Sequence, residues 1–231
     1  MTFVLIHGAW HGAWCWRRVA PLLRAAGHEV FAPSLTGLGE RAHLARPDTG
    51  LETHIADVVM LLEMEDLEDV ILVGHSYAGM VITGAAGRAP ERIRRLVYLD
   101  AFLPEDGKAA IDYIPPERAT RQREQAEKAG SIEPLSLAGF GVTAEEDARW
   151  VSRHLVRQPA RTFLEPVRIA NPAALARMER IYIDCDSATG TFTQFAAKVR
   201  ADPSWRFFEL PCGHDAMVID PQAVARLLLQ D

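Results

Sequence analysis

Ser76 lies in the run Gly74-His75-Ser76-Tyr77-Ala78-Gly79, which follows the apolar segment Val70-Ile71-Leu72-Val73 and precedes helix formers extending through Ala89. A strand, a sharp turn and a helix in that order hold a serine on a strained backbone, its hydroxyl exposed for attack on an acyl carbonyl. Strand and helix pass closely at such a turn, so small neighbours are needed. Gly74 meets the need on the strand side; on the helix side Ala78 stands where glycine is usual, and Gly79 follows it. A glycine-rich turn with a bystander serine would look similar, so Ser76 alone does not decide the matter. Gly213-His214-Asp215, just after the last apolar strand, adds a histidine in the right chain order. A histidine there takes the serine proton and later returns it to the leaving alcohol. Acyl transfer also builds negative charge on the carbonyl oxygen, which fixed backbone N–H groups stabilise without reorganising. Tyr77, the residue after the serine, offers one such N–H. The loop after the first strand, His7-Gly8-Ala9-Trp10, offers the other, assigned to Ala9. A plain tight turn is the simpler account of Gly8-Ala9.

The other chemistry-bearing residues carry weaker signals. His7, His11, His43 and His54 fall in loops or on a helix without metal-ligand spacing, and His75 beside the serine is read as structural. Cys15, Cys185 and Cys212 are odd in number and far apart, which fits neither a disulfide framework nor a zinc site. Gly37-Leu38-Gly39 lacks the third glycine and the strand–helix context of a phosphate loop. No cofactor and no metal are expected.

These residues must be positioned by a scaffold of 231 residues, 48% hydrophobic and 24% charged, long enough for one domain with a large core. The formal net charge of -6 argues against nucleic acid as a partner. The densest basic stretch, Arg118 to Lys128, also holds Glu124 and Glu127 and reads as a solvated helix face. No signal peptide and no bilayer-length apolar run is visible, so a cytoplasmic protein without a membrane partner is expected, either monomer or homodimer. Continuous apolar runs at Phe3-Ile6, Val30-Ala32, Val70-Val73 and Leu96-Leu99 alternate with helical patterns at Trp16-Ala26 and Thr53-Met64. Such runs suit a parallel sheet covered on both faces, and the βαβ alternation predicts a doubly wound α/β fold. Residues 104–178 break the rhythm with proline and charge, with helices predicted at Arg118-Ala129 and Glu145-Leu155 and no buried strand. The alternation resumes with Ile181-Ile183, a helix near Phe192-Arg200, a strand near Trp205-Leu210 and a last helix opened by Pro221. The expected division is therefore a core of 1–103 and 179–231 with a helical insertion at 104–178.

The segments FVLIHGAWHGAWCW, TGLGERAHL, VILVGHSYAGMVI, LVYLDAFLPEDG and GHDAMV resemble bacterial α/β-hydrolase esterases, notably pyrethroid-hydrolase-like carboxylesterases. More distantly, the chain is similar to the plant methyl-salicylate esterase and hydroxynitrile lyase family. The resemblance implies the α/β-hydrolase fold, a helical cap over the site at 104–178, and a Ser76-His214 pair completed by an acid. In the plant relatives that acid follows a strand reading Tyr-Ile-x-Cys-x-x-Asp. Here Tyr182-Ile183-Asp184-Cys185-Asp186 continues to Ala188 at the matching place. Asp186 is the first choice and Asp100, which ends the strand after the serine helix, the second. The lyases carry a lysine shortly after the catalytic histidine, whereas this chain has Asp215-Ala216-Met217-Val218. The expected function is hydrolysis of a small hydrophobic carboxylic ester through an acyl-enzyme on Ser76. The alternatives are a non-hydrolytic lyase or cyclase, or a receptor using the same pocket. Trp10, Trp14, Trp16, Phe140, Trp150, Phe163 and Leu164 are candidates for apolar pocket walls, with core packing an equal account of them.

Overall fold

Six parallel strands form one sheet: β1 (Thr2–Ile6), β2 (Glu29–Phe31), β3 (Val70–His75), β4 (Ile93–Leu99), β7 (Glu179–Cys185) and β8 (Arg206–Leu210), in the order β2-β1-β3-β4-β7-β8. This computed structural model describes residues 1–186 and 190–230. Every residue of β3 is buried, as a central parallel strand covered on both faces requires. The covering helices are α1 (Ala20–Ala25), α2 (Leu51–Met64), α3 (Ala78–Arg88), α9 (Thr193–Arg200), α10 (Ala216–Ile219) and α11 (Pro221–Leu228). α2 buries Leu51, Ile55, Val58 and Leu62, one stripe at helical spacing. It packs directly against α3, where a Cβ on Gly84 would come within 2.3 Å of the Ile55 side chain.

The helix expected from Trp16 to Ala26 is shorter. A 3-10 turn covers Ala13–Trp16 and α1 begins only at Ala20. Pro21 explains the break: its ring would clash with the carbonyl four residues back and it has no N–H to give, so it is tolerated only in a first turn.

Between β4 and β7, residues 104–178 run through α4 (Pro116–Ala129), α5 (Leu137–Phe140), α6 (Glu145–Ser152), α7 (Arg161–Leu164) and α8 (Pro172–Arg177). A two-residue antiparallel ribbon, β5 (Ser131–Ile132) with β6 (Gln158–Pro159), joins them; such short pairing leaves no periodic trace in sequence. The ribbon is tied to the loop after β1 through Trp10. Its backbone N–H donates to Gln158 Oε1 at 2.9 Å, its indole N–H donates to the Ile132 carbonyl at 3.0 Å, and its carbonyl accepts from Val156 N–H. No described helix is long and apolar enough to cross a membrane.

Candidate active site

The serine turn is built by close backbone approach. Ser76 has φ 56°, a left-handed conformation unusual for a residue with a side chain. It is held there by its N–H donating to the Leu99 carbonyl and its carbonyl accepting from Phe102 N–H, both at 3.1 Å. The small-residue requirement falls at Gly74 and Gly79. A Cβ on Gly74 would sit 2.9 Å from the Ala78 carbonyl oxygen, and one on Gly79 would sit 2.0 Å from the Phe102 carbonyl oxygen. Ala78 is fully buried in the first turn of α3, so the glycine usual at that place has moved one residue along.

His214 follows β8 on the loop that leads into α10, and it is buried. Its Nδ1 lies 2.5 Å from Asp100 Oδ2. Its ring stacks on Phe192 at 5.0 Å with an interplanar angle of 7°. Asp100 is 0% exposed, has φ 42°, and donates its backbone N–H to Ile183. Its position follows from register: His75 of β3 pairs with Leu99 of β4, so Asp100 leaves the sheet beside Ser76. Asp186, the first choice implied by the resemblance, makes no hydrogen bond to His214 among the described residues. The residue is exposed, its backbone N–H donates to the Cys212 carbonyl, and it lines an acidic cleft with Asp184, Glu209 and the buried Asp100. The carboxylate against His214 is thus that of Asp100, not Asp186. Ala188, which matches the plant acid position, lies outside the described residues. In the acidic cleft, burial and then the nearby Asp100 charge push the Asp184 carboxyl up to about 6.

The loop after β1 presses on the serine turn. A Cβ on Gly8 would meet His75 Nδ1 at 2.8 Å and the Ser76 Cβ at 2.9 Å, so only glycine brings Ala9 this near the serine. Ala9 and Tyr77 are buried, and neither backbone N–H is given to a protein acceptor among the described residues. Trp10, the next residue, is strained at φ 65°. Left-handed residues of this kind cost about 1–3 kcal/mol each and persist only where surrounding contacts enforce them.

Histidines brace this loop. His7 Nε2 accepts from Leu35 N–H at 3.0 Å and its Nδ1 donates to the Gly8 carbonyl; burial lowers its pKa to about 3, so it is neutral. His11 Nδ1 donates to the Ala9 carbonyl at 2.7 Å, and Nε2 lies 3.0 Å from Asp215 Oδ2. Burial pulls the His11 pKa down, but the Asp215 charge and hydrogen bond outweigh it and the value is raised. His54 bonds the Tyr77 hydroxyl and the Thr36 carbonyl, and burial lowers its pKa to about 4. His75 Nε2 donates to the His214 carbonyl at 3.0 Å, and burial holds it well below the usual histidine range. The His11–Asp215 pair escaped the sequence reading, since its members stand 204 residues apart.

Ser76, His214 and Ala9 line one narrow cavity, walled by Trp10, Phe102, Phe163 and Phe192. Of the aromatic candidates, Trp10 and Phe163 reach it. Trp14 instead stacks on His11 at 5.0 Å, and Trp16 is a core residue. Among the described residues, ligand-type atoms of His75, His214 and Asp215 come within 4.8 Å of one another, the spacing a metal ion could use.

A family model described as the alpha/beta hydrolase family matches residues 3–227. The chain belongs to the alpha/beta hydrolase family. Within it, the chain is 43% identical over 238 residues to a carbendazim hydrolyzing esterase of Nocardioides sp. (strain SG-4G), covering 98% of each chain. It is 40% identical over 253 residues to salicylic acid-binding protein 2 of Nicotiana tabacum, covering 99% of this chain and 95% of that one. An extracellular alpha/beta-hydrolase from a Paenibacillus species superposes with a TM-score of 0.86 at 26% identity, over 99% and 98% of the two chains. A pyrethroid hydrolase from Sphingobium faniae JZ-2 superposes at 0.71 with 26% identity, over 99% and 95%. The resemblance drawn from the motifs is therefore met across the whole chain.

Proposed function

We propose that this alpha/beta hydrolase is a serine carboxylic-ester hydrolase for small hydrophobic esters. The reading rests on the strained Ser76 at φ 56° and on His214, paired with Asp100 at 2.5 Å, both facing one apolar-walled cavity. The esterase relative at 43% identity over nearly the full chain supports the same chemistry. Ser76 Oγ attacks the ester carbonyl while His214 Nε2 takes its proton. Asp100 accepts from Nδ1–H, fixing the tautomer that leaves Nε2 free to act and stabilising the imidazolium that forms. The N–H groups of Ala9 and Tyr77 receive the oxyanion. The alcohol departs with the proton from His214, and water, activated by the same histidine, releases the acid and restores Ser76. In this proposal Asp100 takes the role for which the resemblance put Asp186 first.

Residues 104–178 act as a cap, supported by the three hydrogen bonds that anchor their ribbon and the adjoining Val156 to Trp10. In this reading no metal or cofactor takes part, because Ser76, His214 and Asp100 supply nucleophile, base and orienting acid by themselves. The unpaired cysteines favour a reducing compartment, the cytoplasm, for a monomer or homodimer. The test is turnover of p-nitrophenyl acetate and butyrate. Ser76→Ala is expected to lower kcat by at least about a thousandfold; wild-type inactivity, or an equally fast Ser76→Ala, contradicts the proposal.

A further inference from the structure

α4 is polar along its length, PERATRQREQAEKA, and its one buried side chain is a glutamine. Gln122 is 4% exposed, lines the cavity that holds Ser76 and His214, and its Oε1 has no hydrogen-bond partner among the described residues. A helix docked only for stability gains more from leucine or methionine here, because a buried acceptor left unpaired carries a desolvation penalty. One turn earlier on the same face, Arg118 lines the same cavity. Its guanidinium donates to Thr191 Oγ1 at 2.7 Å, while its Nε–H is buried without a partner among the described residues. The stretch read from sequence as a solvated face thus contributes two polar residues to the lining of the cavity that holds Ser76. Around them the walls are aromatic, from Trp10, Phe102, Phe163 and Phe192. An unpaired donor on Arg118 and an unpaired acceptor on Gln122, one turn apart at the lining of an apolar pocket, suit a ligand group that carries both a carbonyl and an N–H, as an amide does.

We propose that Gln122 and Arg118 are specificity-determining residues, and that the substrate is a hydrophobic ester whose body carries an amide-like N–H and carbonyl. Its N–H donates to Gln122 Oε1, and its carbonyl accepts from Arg118 Nε–H. The proposal rests on the ester-hydrolase reading and narrows it. A pocket built to hydrogen-bond a substrate group rejects an isostere lacking that group more strongly than an apolar pocket rejects a change of size, because its own polar atoms are left unpaired.

The test compares methyl N-benzoylglycinate with methyl 4-oxo-4-phenylbutanoate, which replaces only the N–H by a methylene. In the wild type the kcat/KM ratio is expected to favour the glycinate by about tenfold or more. Gln122→Met, which keeps the shape and removes the acceptor, is expected to shrink that ratio by about tenfold and to melt no lower than wild type. Gln122→Leu is the second variant should the first fold poorly. A wild-type ratio near unity, or a ratio unmoved in both folded variants, overturns the proposal and leaves Oε1 as a group served by water. Cleavage of p-nitrophenyl butyrate without cleavage of either methyl ester also overturns it, while the ester-hydrolase reading stands. If p-nitrophenyl butyrate is not cleaved either, both readings fall together.

Discussion

Removing the Asp215 carboxylate tests how the loop carrying Ala9 is held. His11 and Asp215 are 1% and 0% exposed, their closest atoms are 3.0 Å apart, and the other His11 nitrogen holds the Ala9 carbonyl. Asp215→Ala strands His11 with one ring nitrogen buried and unpaired. Breaking one partner of a buried pair costs about 3–5 kcal/mol. At about 2–4 °C per kcal/mol for a chain of this size, the melting temperature should fall by about 6–20 °C. Asp215→Asn should be far milder, because a neutral His11 can keep its bond to Ala9 and accept from the asparagine amide. Wild type and Asp215→Asn also separate in pH. The folded-state pKa of His11 is raised above its ordinary 6.5, so the wild type gains stability from this proton below about 6.5 and loses it as pH rises through the folded value. The slope approaches about 1.4 kcal/mol per pH unit at most. Urea unfolding from pH 6 to 9 should show this decline in the wild type and a flatter profile in Asp215→Asn. A melting temperature unchanged in Asp215→Ala, or identical pH profiles for wild type and Asp215→Asn, would refute the reasoning.

Three further outcomes follow from the site geometry. Asp100→Asn should lower kcat by about 10³–10⁴ with the fold intact, whereas Asp186→Asn should stay within about twofold of wild type; p-nitrophenyl butyrate kinetics on both variants check this. Gly8→Ala should cost at least about tenfold in kcat, since its Cβ would meet His75 Nδ1 at 2.8 Å and the Ser76 Cβ at 2.9 Å and push the oxyanion loop away. Prolonged dialysis against EDTA should leave turnover unchanged, and a loss restored by a divalent cation would bring the His75, His214 and Asp215 group into the chemistry.

The parts that were legible in sequence are those whose physics is local. Val70-Val73 and Leu96-Leu99 are continuous apolar runs because both faces of their strands are covered, and the structure has them as β3 and β4. The turn that carries Ser76 and the place of His214 after the last strand were legible because a strand–turn–helix and a post-strand histidine are each encoded within about ten residues. The choice between Asp100 and Asp186 was not, because it depends on which strand end faces His214. The pairing of His75 with Leu99 brings Asp100 beside Ser76, and register across a crossover leaves no mark in a linear motif. Gln122 was hidden for a related reason. The charged residues around it, Arg121, Arg123 and Glu124, dominate the local pattern, and one buried polar side chain per helix has no periodicity of its own. Where the glycine expected after the serine was missing at Ala78, the structure supplied the reason: the crowding against Phe102 falls on Gly79.

The central claim is that Ser76 is the nucleophile. Its most direct test is reaction with an alkyl fluorophosphonate followed by peptide mapping, since such a reagent phosphonylates an activated serine and stops there. The account predicts complete loss of p-nitrophenyl butyrate turnover with a single phosphonyl group on Ser76, and no labelling of Ser76→Ala. Full turnover after exhaustive treatment, or a label on another residue that tracks the loss of activity, would contradict it.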